Sequence, residues 1–251
     1  MLNFLINPIT QLLIFLYSLT GNNFGFAIIL LTLIIRGVLV PITLPSLRSA
    51  KKMQDLKPHL DNLKIKHKDD KVKLQQAQLD FYKEHGINPA AGCLPQILQL
   101  VILIALYQVF IKFIESGQVD GQAVNMSFLW LNLAHADPYY VLPALAGITQ
   151  LIFSLMMQSG LESHMKPAKT KTAQAKEGDK LEMAETIQQQ MLFMMPIMTT
   201  VIALKFPSGL ALYWVVTTLF SLVQQYIISG PGGLVKIKTK LAFLKILNPK
   251  S

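Results

Sequence analysis

The stretch FGFAIILLTLIIRGVLVPITLPSL, residues 24–47, decides how the rest of the chain is interpreted. About 20 apolar residues suffice to cross a bilayer as a helix, so this run is long enough to span one. Arg36 stands near its middle. A permanent charge at that depth costs roughly 2.5–3.5 kcal/mol on insertion scales. Arg36 therefore needs either an acidic partner or a water-filled space inside the protein.

The composition predicts an all-α polytopic membrane protein. Of the 251 residues, 52% are hydrophobic and 15% are charged, and the apolar residues come in blocks of about twenty, the length of a spanning helix. Five blocks are predicted to be transmembrane helices: 24–47, 94–114, 139–158, 187–206 and 209–228. The apolar core of the fourth block is short for a full crossing. The single cysteine, Cys93, excludes an internal disulfide and a cysteine-based metal site.

The basic residues predict the orientation of these helices. Residues 48–86 carry ten Lys and Arg, 159–186 carry five and 229–251 carry five, whereas 1–23 and 116–138 carry none. Basic loops stay cytoplasmic. The five spans are therefore expected to place the N-terminus outside and the C-terminus inside.

The segments between the spans differ in polarity. Residues 1–23 are predicted to form an amphipathic helix that lies on the outer leaflet. Residues 115–138 are expected to be an extracytoplasmic loop, with an aromatic belt at the membrane interface formed by Phe128, Trp130, Tyr139 and Tyr140. Residues 159–186 are predicted to be a cytoplasmic loop and 229–251 a basic cytoplasmic tail.

Residues 48–86 are predicted to form a cytoplasmic helical hairpin, entered through kinks at Pro41 and Pro45. Asp69 or Asp70 can cap its second helix and Gly86 can end it. Because two short helices bury little area, we expect the hairpin to move relative to the membrane body. Each helix is expected to pack through one apolar stripe, formed by Met53, Leu56, Leu60 and Leu63 in the first and by Val72, Leu79 and Tyr82 in the second.

Polar residues inside the spans point to a hydrophilic groove. None of the fourteen acidic residues lies inside a predicted span, so Arg36 has no deep counter-ion. Polar residues share one face of the first span (Thr32, Arg36 and Thr43), of the third (Gln150, Ser154 and Gln158) and of the fifth (Trp214, Thr217, Thr218, Ser221 and Gln225). Gln96 and Gln99 lie near the inner end of the second span. All these polar residues could serve only as interhelical hydrogen bonds worth about 0.6–2 kcal/mol each. Such bonds do not require a full charge, so Arg36 favours a groove.

Several functional classes fit this pattern poorly. No histidine lies in a predicted span, which argues against an intramembrane Ser/His protease or metalloprotease. Proton-coupled transport usually needs intramembrane Asp, Glu or His, and an ATPase needs a glycine-rich phosphate loop. Two possibilities remain: a device that eases the passage of polar polypeptide through lipid, and an anion channel with Arg36 as its selectivity charge.

The chain resembles the YidC/Oxa/Alb family of membrane protein insertases over nearly its whole length. The resembling segments are GFAIILLTLIIRGVLVPIT, KKMQDLKPHLDNLKIKHKDDKVKLQQ, NPAAGCLPQILQ, FLWLNLAHADPYYVLPALAGITQ and FPSGLALYWVVTTLFSLVQQ. The resemblance implies five helices around a positively charged groove that is closed outside and open to the cytoplasm and lipid. Arg36, Gln150 and Trp214 match its groove residues. Many members have Asn at the position of Thr218.

The resemblance implies an insertase and chaperone for nascent membrane proteins in the plasma (inner) membrane of a bacterium, acting alone or with a Sec-type translocon. The expected partners are the ribosome, the signal recognition pathway and the lipid bilayer, without sequence-specific nucleic acid. No cofactor or metal and no enzymatic chemistry are expected. A chaperone that only aids helix packing is the alternative. The predicted groove residues are Arg36, Gln150, Trp214, Thr32, Gln96, Gln99, Thr217, Thr218 and Tyr213.

Overall fold

The computed structural model describes residues 3–67, 70–86, 94–119, 122–157 and 194–231, and these are mostly helical. The helices are α1 Asn3–Leu19, α2 Phe24–Lys66, α3 Lys71–Glu84, α4 Leu94–Ser116, α5 Val141–Met157, α6 Met194–Lys205 and α7 Ser208–Ser229. Four short strands lie between α4 and α5: β1 Gln118–Val119, β2 Gln122–Ala123, β3 Ser127–Phe128 and β4 Leu131–Asn132. They form two antiparallel hairpins, β1–β2 and β3–β4, which the sequence did not predict.

Three of the described helices are long and apolar enough to cross a membrane. They are Phe24–Leu56, Ile97–Ser116 and Ser208–Ser229, and they coincide with the first, second and fifth predicted spans. The third and fourth predicted spans correspond to the shorter apolar helices α5 and α6. Residues 187–193 of the fourth span, the loop 159–186 and the tail from residue 232 onward lie outside the described residues. The count of five crossings stays a prediction.

Helix α2 is continuous over 43 residues and passes through the predicted boundary between the first span and the hairpin. The expected kinks at Pro41 and Pro45 do not end it, and Pro58 also lies inside it. Each proline removes one backbone hydrogen bond, which by itself need not break a helix packed along its length. At its start, the Asn23 side chain accepts a hydrogen bond from the Phe26 amide at 3.2 Å.

Helix α3 begins where the sequence predicted. The Asp70 carboxylate accepts a hydrogen bond from the Lys73 amide at 3.0 Å, and Gly86 adopts a φ of +61° just beyond the helix end. The predicted apolar stripe of α3 is wrong, because Val72 is 71% exposed. Helix α3 instead buries Gln78 and brings the Phe81 ring within 6.4 Å of His59 on α2.

The hydrophobic core joins α1 to the N-terminal end of α2 and the C-terminal end of α4. Helix α1 buries one face, made of Ile6, Leu13, Leu16 and Tyr17. Phe24, at the start of α2, is fully buried, and its ring centroid lies within 6.0 Å of three other rings, those of Tyr17, Phe110 and Phe113. Helix α1 is thus packed against neighbouring helices along this face. Its placement flat on the outer leaflet stays a prediction.

The loop between α4 and α5 carries most of the predicted aromatic belt. Trp130, Tyr139 and Tyr140 are 47%, 70% and 63% exposed, which suits contact with an interface. Phe128 is an exception, because it is buried. Its ring packs over Gly25 and lies 5.3 Å from the Phe26 ring. Phe128 therefore belongs to the protein core.

Candidate functional site

Arg36 is linked to two other helices by a chain of hydrogen bonds. Its Nη2 atom donates to the side-chain oxygen of Gln99 on α4, and the Nε2 atom of Gln99 donates to the Tyr213 hydroxyl on α7 at 3.0 Å. Arg36 is half-buried and Tyr213 is buried. Gln99 suits this middle position because an amide carries both an acceptor and donors. These hydrogen bonds join α2, α4 and α7 at the level of Arg36.

The partner of Arg36 is therefore neutral. Within the described ranges, no Asp or Glu forms an ion pair with Arg36, and Gln99 is its one hydrogen-bond acceptor. A guanidinium has five N–H donors, so most of them are left for water or for a bound group. A neutral partner also leaves the positive charge uncancelled. The arrangement can attract an anionic group without covalent chemistry.

The three predicted groove threonines are buried. Thr32, Thr217 and Thr218 are each less than 5% exposed. The hydroxyl of Thr32 donates to the Ile28 carbonyl of its own helix, and that of Thr218 donates to the Trp214 carbonyl at 2.9 Å. These two hydroxyls thus satisfy backbone carbonyls and do not line an open surface.

Gln150 on α5 and Trp214 on α7 are both half-buried. In the part of the chain that the structure describes, neither side chain bonds to Arg36, and the Gln150 amide has no hydrogen-bond partner. The structure thus joins Arg36 to Gln99 and Tyr213 and not to Gln150 or Trp214. Gln96 lies in α4, but its side chain is outside the described residues.

A second polar contact between α2 and α7 lies farther along both helices. The Gln224 Nε2 atom donates to the Thr43 hydroxyl at 3.0 Å. One residue on, Gln225 is fully buried and, among the described residues, neither atom of its amide has a partner. The sequence indicated Gln225, since it continues a stripe with Thr217 and Ser221 at spacings of four. Gln224 was not predicted.

The C-terminal part of α2 contacts the C-terminal ends of α5 and α7. The Lys51 ammonium donates to the Ile228 carbonyl at 3.1 Å. The Gln54 amide donates to the Met156 carbonyl at 3.5 Å and also to that of Met157. Carbonyls at a helix C-terminus have no partner within the helix, so such donors satisfy them. The first residues of the predicted hairpin are thus fixed to the membrane helices.

The opposite ends of α5 and α7 are held by the loop that precedes α5. The Ser208 amide donates to the His135 carbonyl at 2.7 Å, and the Gly209 amide donates to the Leu133 carbonyl at 3.1 Å. These bonds satisfy two backbone amides in the first turn of α7, which begins without a side-chain cap. The buried Asp137 carboxylate does the same for α5, accepting from the Leu142 amide at 2.7 Å. This loop thus joins the N-terminal ends of α5 and α7.

The chain is similar over most of its length to known membrane proteins. A family model described as "60Kd inner membrane protein" matches residues 15–232. The membrane protein insertase MisCA of Bacillus subtilis is 37% identical over 91% of this chain and 78% of its own length. The membrane protein insertase YidC 2 of Bacillus anthracis is 38% identical over 91% of this chain and 80% of its own. The membrane protein insertase YidC of Fusobacterium nucleatum is 35% identical over 92% of this chain and 100% of its own.

The chain belongs to the YidC/Oxa/Alb family. The predicted groove residues differ in their burial and their hydrogen bonds. Arg36, Gln99 and Tyr213 form one connected polar chain, Gln150 and Trp214 stand half-buried, and the threonines are packed. Within the described ranges, no group of three His, Cys, Asp or Glu side chains could hold a metal ion.

Proposed function

We propose that this chain is a membrane protein insertase and chaperone, which moves nascent membrane proteins from the cytoplasm into the bilayer through a positively charged hydrophilic groove. The observation that carries the proposal is the half-buried Arg36, whose described partner is the neutral Gln99. Support also comes from the relatives, which are named membrane protein insertases. Relatives with that name match nine-tenths of the chain.

The groove works by shortening the apolar path that a polar segment must cross. A short translocated segment, often carrying an acid, enters the groove and is attracted to the free N–H groups of Arg36. Its apolar segment slides along the lipid-facing side near α5 and α7. Burial of this segment in lipid then drives insertion, at about 25 cal/mol per Å² of apolar area. No covalent step is required, so no enzymatic chemistry is invoked.

The groove is closed outside and open to the cytoplasm. The bonds from Leu133 and His135 to the first turn of α7 support closure on the outer side. Gln150, Trp214, Gln96 and the buried threonines Thr32, Thr217 and Thr218 complete or brace the walls around the Arg36–Gln99–Tyr213 chain. Five helices cross the plasma membrane of a bacterium, with the N-terminus outside and the C-terminus inside.

The cytoplasmic surface receives the substrate. The hairpin formed by the end of α2 and by α3 is rich in lysine, and the tail 229–251 carries five more basic residues. Such a surface suits an acidic partner such as ribosomal RNA, bound through phosphates and without reading sequence. The ribosome and the signal recognition pathway deliver the substrate. A Sec-type translocon cooperates for some substrates and is dispensable for others.

Charge exchange at Arg36 tests the proposal. Arg36→Lys should keep most insertion, because the positive charge remains. Arg36→Ala should lower insertion of substrates with acidic translocated tails about tenfold or more, since hydrogen bonds to charged groups are worth about 1.5–3 kcal/mol. Reconstituted vesicles with protease protection of the tail provide the measurement.

Two controls accompany this experiment. Substrates with neutral tails should insert almost equally into vesicles with either variant, and the thermal unfolding of each purified variant reports its folding. Equal insertion of acidic-tailed substrates by Arg36→Ala and by the unchanged protein would refute the attraction. A chaperone that only aids packing would leave insertion intact while the inserted protein fails to fold.

A further inference from the structure

The tip of the β3–β4 hairpin exposes two large apolar side chains. Leu129 and Trp130 form its turn, and they are 76% and 47% exposed. Leu129 has a φ of +54°, in the left-handed region that branched side chains seldom adopt. A large apolar side chain held exposed in this conformation, beside an exposed tryptophan, marks the tip as a candidate contact surface.

The base of this hairpin is fixed at the outer end of α2. Phe128 packs over Gly25, and its ring meets the Phe26 ring edge-on at 5.3 Å. Gly25 and Phe26 lie in the first turn of the helix that contains the candidate span Phe24–Leu56. Phe26 is itself 53% exposed. The tip therefore lies at the level where the lipid-facing surface of α2 begins.

We propose that Leu129 and Trp130 insert into the interface of the outer leaflet and anchor the hairpin to lipid. No charged residue occurs between 118 and 136 apart from Asp120, so the tip carries no cost of burying a charge. Tryptophan prefers the membrane–water interface, where its ring is buried and its N–H stays hydrated. Tyr139 and Tyr140 are exposed just before α5 begins, and they extend the same aromatic level.

The β3–β4 hairpin, with the residue that follows it, contains both the proposed lipid anchor at its tip and the carbonyls that bind the first turn of α7. The anchor therefore acts on the proposed closure at the outer side. Directly after the tip, the Asn132 carbonyl accepts a hydrogen bond from the Ser208 hydroxyl at 2.8 Å. The Leu133 carbonyl accepts one from the Gly209 amide at 3.1 Å. Insertion of the tip into lipid thus holds the outer end of α7 against that of α2. The inference depends on α2 crossing the bilayer and not on how substrates move.

Fluorescence of Trp130 tests the anchor. The sequence has two tryptophans, so Trp214→Phe leaves Trp130 as the single reporter in the full chain. The protein is reconstituted into vesicles of phosphatidylcholine brominated at a shallow or a deep acyl position. We expect blue-shifted emission that shallow bromine quenches more strongly than deep bromine and that aqueous iodide quenches poorly. Emission typical of water, quenched by iodide and not by bromine, would overturn the proposal.

A second pair of variants distinguishes a loss of tip insertion into lipid from a loss of folding. In the Trp214→Phe background, Leu129→Asn keeps the left-handed turn but removes the apolar group. It should at least halve the quenching by shallow bromine while the circular dichroism stays helical. Val72→Asn, on the exposed face of α3, is the matched control and should change nothing. Unchanged quenching in Leu129→Asn would count against the anchor.

Discussion

The Lys51 ammonium donates a hydrogen bond to the backbone carbonyl of Ile228, 177 residues away, at 3.1 Å. Helix α7 has no basic residue of its own in the last turn. A cation at a helix C-terminus is favourable because it meets the negative end of the helix dipole. Lys51 therefore supplies the positive charge that the last turn of α7 lacks, and it does so from α2, the helix that carries Arg36.

Lys51→Ala should loosen the last turn of α7. The lost interaction is worth about 1 kcal/mol, so amide hydrogens near Tyr226 and Gly230 should exchange about fivefold faster. Hydrogen–deuterium exchange of the full chain in nanodiscs measures this. Lys52→Ala removes an exposed lysine one residue away and is the control. Equal exchange in the two variants would contradict a capping role for Lys51.

Gln99→Glu should lower the insertion of substrates with acidic tails without lowering the thermal stability of the protein. The new carboxylate would pair with Arg36 and cancel its charge, so the variant should unfold at no lower temperature than the unchanged protein. Insertion of substrates with acidic tails should nevertheless fall about tenfold, because hydrogen bonds to a charged group are worth about 1.5–3 kcal/mol. The measurements are thermal unfolding and protease protection. Full insertion with Glu at position 99 would show that a neutral partner is not required.

Gln99→Leu should destabilise the fold more than Tyr213→Phe. The leucine leaves both the Arg36 guanidinium and the buried Tyr213 hydroxyl without their described partner, at about 1–3 kcal/mol. Tyr213→Phe removes a single neutral hydrogen bond, worth about 0.5–1.5 kcal/mol. Unfolding in the same detergent compares the two. If both variants unfold at the same temperature, water replaces the amide and the connection between the helices is weak.

Two glycines of α2 should respond oppositely to alanine. At Gly25 an added Cβ would overlap the Phe128 ring, so Gly25→Ala should cost about 1–3 kcal/mol through overpacking. At Gly37 a Cβ would meet nothing within 4 Å. Gly37→Ala should therefore be neutral or stabilising by up to about 1 kcal/mol, because alanine favours helix. Thermal unfolding of both variants is the measurement. An unchanged unfolding temperature in Gly25→Ala would show that the Phe128 ring of the β3–β4 hairpin does not pack against Gly25.

The cap of α3 should be lost only in acid. The hydrogen bond from the Lys73 amide lowers the pKa of the Asp70 carboxyl below its ordinary value. A carboxyl with a lowered folded pKa contributes stability above its unfolded pKa and loses it as the pH falls through the folded pKa. A spin label at Gln76, in a Cys93→Ser background, should therefore become more mobile only below the usual Asp range. Asp70→Asn should remove this dependence, and a transition nearer neutral pH would assign it to another group.

Local features of this fold could be predicted from the sequence. The apolar runs located α4 and α7 to within two residues, and the polar residues before α3 located its Asp70 cap. The end of α2 was missed because a change from apolar to charged residues marks where lipid ends, not where a helix ends. The face of α3 was also wrong, since the predicted positions Val72 and Leu79 are exposed, whereas Gln78 is buried and Phe81 lies against α2.

Arg36, Gln99 and Tyr213 were all among the predicted groove residues, but the hydrogen bonds between them could not be predicted from the sequence. That these residues line a groove stays a prediction. Helical periodicity indicates which side chains share a face, but it does not say which helix that face meets. Gln99 lies 63 residues from Arg36 and 114 from Tyr213 along the chain. Only the packing of α2, α4 and α7 brings them together.

The continuity of α2 has a mechanical consequence. At 1.5 Å per residue its 43 residues measure about 65 Å, roughly twice the hydrocarbon thickness of a bilayer. A helix of this length that crosses the bilayer must extend well beyond the hydrocarbon at one end. The turns around Arg36 and the turns that pack against α3 then belong to one uninterrupted helix, so a change in its tilt would displace both.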